Sequence, residues 1–148
     1  MLFVLVLQFF LWTSIGQTFI AQRATSYLEN KLETKVSIGK VDISFFKFFK
    51  FNEIYIEDQN QDTLAYIQLL RLKVDYIIYR NDTLKLNFGK VEIEKPYYNL
   101  KRLNGDSLTN LSFLIEAFSS DSKSPSKLNV LLRSKRVSIH NGRFLWNN

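Results

Sequence analysis

The chain has 148 residues, a formal net charge of +6 and no cysteine. This length fits a single domain, and the lack of cysteine excludes disulfide bonds, thiol chemistry and cysteine-bound metals. The 20 lysines and arginines outnumber the 14 acidic residues. They are too dispersed to form a nucleic-acid footprint on their own, but they favour anionic lipid head groups.

The chain begins with a long apolar run. Residues 1–16 carry no charge, and the first charged side chain is Arg23. If the run continues to about residue 20, it has the length of a membrane-spanning helix, and we predict an uncleaved membrane anchor helix at residues 1–20. Two alternatives stay open: a cleaved signal peptide that ends at the small residues Ser14 and Gly16, and the buried helix of a soluble protein.

An amphipathic helix is predicted next, at residues 21–33. Apolar side chains recur there at the spacing of one helical face, namely Ile20, Ala24, Tyr27, Leu28 and Leu32. Such a helix either packs on the first strands of the body or lies on a membrane surface.

Residues 34–103 are predicted to form a first β-sheet segment. Val36 and Ile38 alternate with polar residues, and Val41 and Ile43 do so with the opposite parity. The parity slips at Gly39–Lys40, which indicates a β-bulge or a bend. Later in the segment, Pro96 is expected to end one strand before a further short strand at residues 97–103.

An eight-residue pattern occurs twice in this segment. Val36–Ile43 and Leu86–Ile93 align without a gap, and both read apolar, polar, apolar, Gly, Lys, Val, acid, Ile. Lys135–Gly142 is a looser third copy. A repeated strand unit favours an extended, stacked β architecture over a closed globule.

The last part of the chain is predicted to contain a short helix and more strands. Residues 104–127 are expected to form that helix and a serine-rich linker. The apolar stripe of the helix consists of Leu108, Leu111, Leu114, Ile115 and Phe118. Residues 128–148 are expected to start a further β repeat of a longer protein.

The other residues that could take part in catalysis or binding do not indicate an enzyme. Phe45–Phe51 interleaves aromatic residues with two lysines, which fits an ordinary strand edge, a membrane contact or stacking on single-stranded nucleic acid. His140 is a lone histidine and is expected at a turn or surface rather than on a metal. The chain has no phosphate-binding loop and no nucleophile elbow. Four acids near a turn are expected to be solvated, namely Glu53, Glu57, Asp58 and Asp62.

Several segments carry a resemblance to a known family. Ala21–Leu28, Leu32–Phe46, Ile54–Leu64 and Pro96–Arg102 resemble the N-terminal part of TamB, the translocation and assembly module members of the AsmA-like family, in the form found in Bacteroidetes-type bacteria. The resemblance implies a single-pass anchor in the inner membrane and a body in the periplasm that forms an apolar β-groove, or β-taco. It also implies work at the cell envelope, either phospholipid transport or outer-membrane protein assembly.

These observations define one expected fold and function. We expect a mainly β protein with an N-terminal hydrophobic helix, one or two amphipathic helices, and an extended antiparallel sheet that begins a β-groove. It would be a membrane-anchored segment that contacts phospholipid acyl chains, without catalytic residues, metal or cofactor and without a nucleic-acid partner, and it could work with an outer-membrane assembly protein. The alternatives are a scaffold module that recruits a partner protein by β-strand addition and a secreted domain whose active site lies outside this sequence.

A groove for acyl chains needs one apolar face and one wet face, which alternating strands supply. The strongest alternation in the chain gives the candidate lipid-facing residues Leu70, Leu72, Val74, Tyr76 and Ile78. The same pattern also fits ordinary core packing under a helix or an opposing sheet.

Overall fold

The fold is mainly β, with two helices before an open sheet and a short third helix. The computed structural model describes residues 1–45, 47–102, 109–119 and 129–147. Within these ranges the elements are α1 (Leu2–Trp12), α2 (Ser14–Leu32), β1 (Val36–Ser44), β2 (Phe48–Glu57), β3 (Thr63–Arg80), β4 (Thr83–Lys101), α3 (Ser112–Ser119), β5 (Asn129–Ser134), β6 (Val137–His140) and β7 (Arg143–Asn147). The prediction of a mainly β fold with N-terminal helices is thus confirmed.

The N-terminal helix bends at Thr13 and does not continue straight to residue 20. Thr13 has an extended backbone, and its hydroxyl donates to the carbonyl oxygen of Phe10 at 2.6 Å and accepts from the N–H of Gly16 at 3.1 Å. This one side chain therefore closes α1 and caps α2. The predicted boundary between residues 20 and 21 lies instead inside α2.

The two N-terminal helices do not form one straight membrane-spanning helix. In the described parts of the chain, no single helix combines the length and the apolar composition needed to cross a bilayer. α1 and α2 meet both requirements only as a pair, with an angle of 81° between them.

The sheet is open and mostly antiparallel. Its strands follow the order β1-β2-β3-β4-β5, and β6 and β7 also pair with β4. β1 to β4 are antiparallel, whereas β5, β6 and β7 lie one after another along β4 and run parallel to it. The expectation of a wholly antiparallel sheet is wrong for these three strands, because the chain between Lys101 and Asn129 is long enough for a crossover connection.

Pro96 lies inside β4 and does not end it. The strand runs without interruption from Thr83 to Lys101, and Pro96 pairs with Ile67 of β3. On its other side β4 faces the gap between β6 and β7, where a Cβ on Gly142 would lie 3.3 Å from the proline ring. Since no strand residue is paired at that gap, the missing N–H of proline costs the ladder little.

A line of irregular positions crosses the first four strands, which we call the first switch line. It passes through Gly39, Glu53, Gln68 and Lys95, none of which has a partner in the pairing register although their neighbours do. Glu53 and Lys95 have φ angles of 54° and 47°, in the left-handed region. The parity of the buried side chains changes at this line: Val36 and Val41 are both buried although they are five residues apart.

A second switch line crosses β3 at Val74, six residues after Gln68, and β4 at Gly89, six residues before Lys95. There the register shifts on both sides of Val74, which pairs with Phe88 while Leu72 pairs with Val91. Gly89 lies at this line as Gly39 lies at the first. The two copies of the repeated pattern thus occupy the same kind of position, one on each line.

α2 packs on β1 and forms the core there. Ala21 is buried against Val41 and Ile43, and Phe49 and Phe51 of β2 add partly buried side chains. Of the residues on the predicted apolar face of this helix, Leu32 is buried, Ala24 is half-buried and Tyr27 is exposed. In α3, Ile115 is exposed; Leu108, most of the predicted linker and the side chain of Phe118 lie outside the described residues.

The turn between β2 and β3 contains a buried acid, contrary to expectation. Asp58 is almost fully buried, and its Oδ1 accepts the N–H groups of Asn60 at 2.9 Å and Asp62 at 3.1 Å. Its Oδ2 accepts from the Nδ2 of Asn110 at 3.0 Å. Asn110 also exchanges two hydrogen bonds with the backbone of Lys101, so this pair ties the turn to the end of β4.

Candidate functional site

The candidate site is the sheet face on which α2 packs, which we call the apolar face. Cross-strand partners lie on the same face of a sheet, so the register traces rows of side chains across it. One row consists of Val41, Phe51, Leu70, Ile93 and Ile139, and the next consists of Ile43, Phe49, Leu72, Val91 and Val137. Every member of both rows is apolar.

Beyond the first switch line the apolar face continues. The parity change moves Val36, Ile56, Ala65, Tyr98 and Phe144 onto it as a further row. The rings of Tyr98 and Phe144 are in contact, with centroids 5.5 Å apart. Burial of the Tyr98 ring raises the pKa of its hydroxyl. The two switch lines therefore preserve one continuous apolar face along strands of 18 and 19 residues.

Burial along the rows falls from β1 to the outer strands. In the first row Val41 is 0% exposed and Ile139 is 59% exposed, and in the further row Val36 is 1% exposed and Phe144 is 65% exposed. The cause is that α2 covers β1, and among the described residues no helix packs on β4, β6 or β7. The outer half of the apolar face is thus open.

The five candidate residues from the sequence do not share this face. Leu70 and Leu72 are half-buried members of the rows, and Val74 is buried on the same face. Tyr76 pairs with Asn87, which is the neighbour of Phe88 and so points to the opposite side. The predicted set is therefore wrong for Tyr76 and Ile78, which lie on the other face.

Other residues on the apolar face were not proposed from the sequence. Ile77 and Tyr79 take the places beyond Val74, opposite Leu86 and Leu84. The exposed members on the outer strands are Leu132, Val137, Ile139, Phe144 and Trp146. The alternation of Phe144 and Trp146 was visible in the sequence, but it gave no sign that the face would stay uncovered.

The opposite face of the sheet carries ion pairs beside apolar side chains such as Tyr76 and Ile78. Arg71 pairs with Glu94, Lys90 pairs with Glu92 at 2.6 Å, and Lys40 pairs with Asp42 at 3.0 Å. The hydrogen bond from Lys90 lowers the pKa of the Glu92 carboxyl, although partial burial opposes the shift. The sheet thus has one continuous apolar side and one mixed side that carries the ion pairs.

The described residues offer little else for chemistry. No group of three or more His, Asp or Glu side chains among them could hold a metal ion. His140 is exposed and pairs through its backbone position with Glu94. A cleft of about 600 Å³ lies between α2 and the edge strand β1, lined by Gln17, Thr18, Gln22, Thr25 and residues 37–41 among others.

Comparison of the chain with models of protein families, with curated proteins and with solved structures gives no match. The functional argument therefore depends on the geometry of this chain.

Proposed function

We propose that this chain is a membrane-anchored segment of an envelope lipid-transfer or outer-membrane assembly factor, in which the apolar face contacts phospholipid acyl chains. The observation that carries the proposal is the row structure of that face, buried at β1 and more than half exposed at the outer strands. Exposed apolar surface of this extent is unusual for a protein that works alone in water.

The energetics of such a face suit a lipid tail. Each buried methylene contributes about 0.8 kcal/mol, so aliphatic rows bind a tail without any specific polar contact. Successive rows are chemically alike, so a tail can move from one row to the next at little cost. The ion-paired opposite face keeps the sheet soluble on its other side.

The N-terminal helices supply the proposed link to a bilayer. The side chains of α1 are almost all apolar and exposed. We propose that α1, with the start of α2, anchors the chain in the inner membrane and leaves the sheet in the periplasm, as the resemblance to the AsmA-like family implies. In this proposal the curved start of a β-groove, or β-taco, is formed by the apolar face.

Site-specific photocrosslinking tests the acyl-chain contact. A photoreactive residue at Ile139 is expected to crosslink to phospholipid in membranes, whereas the same residue at Ser138, whose side chain points to the opposite face, is not. Crosslinks of equal yield at both positions would reflect random proximity to lipid and would remove the proposal.

A second candidate is a scaffold that recruits a partner by β-strand addition. The cleft beside β1 favours it, because β1 is an edge strand whose residues 37–41 line an opening, and exposed edges accept added strands. Replacement of Lys40 by Pro, which blocks strand pairing at this edge, separates the two candidates. Partner capture would be lost in the scaffold case, and lipid crosslinking at Ile139 would persist in the lipid case.

A further inference from the structure

An aromatic cluster lies where the two N-terminal helices bend. The rings of Trp12, at the end of α1, and Phe45, in the turn after β1, meet edge to face with centroids 6.3 Å apart. Trp12 is 57% exposed and Phe45 is 69% exposed, and Phe48, three residues after Phe45 in the chain, is 45% exposed. Large exposed aromatic side chains such as these are costly in water but are favoured at a membrane–water interface.

Lysines surround this turn. Lys47 is exposed, and its carbonyl oxygen accepts the N–H of Val74 at 2.7 Å, which fixes the turn against β3. Lys73 is exposed and pairs in register with Phe48. Lys135 forms an ion pair with Asp75 at 2.6 Å.

The carboxylate of Asp75 interacts electrostatically with all three lysines. The pKa of Asp75 is lowered first by the hydrogen bond from Lys135, with further lowering by the charges of Lys135, Lys73 and Lys47 and an opposing effect of burial. Among the described residues, Lys135 is the cation held in an ion pair with Asp75. The charges of Lys47 and Lys73 therefore exceed what this acid neutralises, and the area around the turn is positive.

We propose that Trp12, Phe45 and Phe48 together with Lys47 and Lys73, which we call the interface tip, form a second membrane contact that binds the phosphates of anionic phospholipid head groups. This inference rests on the proposed anchoring through α1. From α1 outward the order is apolar helix, aromatic ring, then lysine, which matches the order of hydrocarbon, interface and head group in a bilayer.

The bend between the helices brings the interface tip to the bilayer surface. If α1 follows the membrane normal, the 81° angle places α2 close to the membrane plane. Because Phe45 contacts Trp12 at the bend, the turn after β1 then lies at the same depth as the end of α1. The tip fixes the orientation of the sheet on the membrane, which a single helix does not do.

Binding to vesicles tests the interface tip. The chain contains two tryptophans, so Trp146→Phe leaves Trp12 as the sole reporter. In vesicles that contain phosphatidylglycerol, we expect a blue shift of Trp12 fluorescence and stronger quenching by lipids brominated near the head group than by lipids brominated at the chain end. Stronger quenching from the chain end would place Trp12 in the hydrocarbon core and overturn the proposal.

Charge reversal tests the head-group contact. In the Trp146→Phe background, Lys47→Glu with Lys73→Glu is expected to lower partitioning into phosphatidylglycerol vesicles by about thirtyfold or more, since each cation near an anionic surface contributes about 1 kcal/mol. Lys85→Glu with Arg143→Glu makes the same change in net charge at exposed positions away from the tip, and we expect it to change partitioning less than threefold.

The outcomes separate this inference from the proposed function. Equal losses in the two double variants would show an effect of net charge alone and would overturn the tip. Equal partitioning of all variants into anionic and neutral vesicles would also overturn it, while leaving anchoring by α1 intact. Failure of every variant, and of the parent chain, to bind either vesicle would contradict the proposed anchor together with the tip.

Discussion

Asp58 is an acid that the fold buries because the turn around it needs an acceptor. Two N–H groups of the turn and the amide of Asn110 all donate to its carboxylate. A charged group is tolerated inside a protein when hydrogen bonds of this kind replace water. Sequence reasoning could not see this, because Asn110 lies 52 residues away in the chain.

Asp58→Ala is therefore expected to destabilise the fold by about 2 to 4 kcal/mol, since it leaves buried donors without an acceptor. Asp62→Ala is the matched control in the same turn. Asp62 is exposed and forms an ion pair with Lys101 at 2.6 Å, and surface pairs of this kind contribute up to about 1 kcal/mol. Urea unfolding followed by circular dichroism measures both variants, and equal losses would contradict the structural role of Asp58.

Asp75 gives a pH dependence with a defined sign. Its pKa is lowered from 3.8, chiefly by the hydrogen bond from Lys135. A carboxyl whose pKa is lower in the folded state contributes stability that is complete above its unfolded pKa and is lost as the pH falls through the folded pKa. We thus expect the wild-type protein to lose the contribution of this pair as the pH falls below 3.8.

Asp75→Asn isolates that contribution. We compare the urea concentration at the midpoint of unfolding between the wild type and the variant. The difference is expected to be constant at neutral pH and to shrink below pH 3.8. The lowered pKa of Glu92 acts in both proteins and cancels in the difference. A difference that stays constant down to strongly acid pH would show that the pair contributes nothing to stability.

At the scale of strands, the two glycines of the repeated pattern mark the places where the alternation of apolar and polar residues along a strand shifts by one residue. A Cβ on Gly39 would lie 2.7 Å from Oε2 of Glu53, and a Cβ on Gly89 would overlap the carboxylate of Asp75. Each switch line thus needs a residue without a side chain where a neighbouring strand approaches closely. This part of the fold was predictable, because a glycine stood at each change of alternation.

Gly89→Ala is expected to destabilise the protein, because the added methyl group displaces the carboxylate of Asp75 and its ion pair with Lys135. In an Asp75→Ala background the same change should cost little, since the group that it displaces is gone. A double-mutant cycle measured by urea unfolding checks this coupling. Additive losses would show that the two residues act independently.

Other elements could not be predicted from local patterns. Residues 76–79 are all large and mainly apolar, namely Tyr76, Ile77, Ile78 and Tyr79. Because apolar and polar residues do not alternate there, the sequence does not show which side chains share a face, and the change of face after Val74 could not be predicted. Thr13 ends a helix inside an apolar run, where composition favours continuation. The parallel pairing of β5 to β7 depends on contacts between distant segments, which a period-two pattern does not specify.

At the scale of the molecule, the sheet has different environments on its two sides and its two edges. One side is mixed and carries the ion pairs, the other is continuously apolar, and the apolar face is covered at β1 and open at the outer strands. The helix α2 therefore covers the part of the apolar face at β1. The rest of the face offers apolar area to a ligand that needs no polar contacts. The same asymmetry explains why the core is small and lies between α2 and β1.

Two lysine substitutions in β6 test whether the open part of the apolar face contacts lipid. Ile139→Lys places a charge on the apolar face at a position that is already exposed, so we expect the variant to fold. The amount of phospholipid retained by the purified protein should fall severalfold, because the acyl chain loses apolar contact and meets an ammonium group. Ser138→Lys adds the same charge on the opposite face, beside Glu92, and should leave lipid retention unchanged. Mass spectrometry of extracted lipid measures retention, and circular dichroism checks that both variants are folded. If folded Ile139→Lys retains as much lipid as Ser138→Lys, the tail does not lie on this face, and the open strands must serve another purpose, such as pairing with a partner chain.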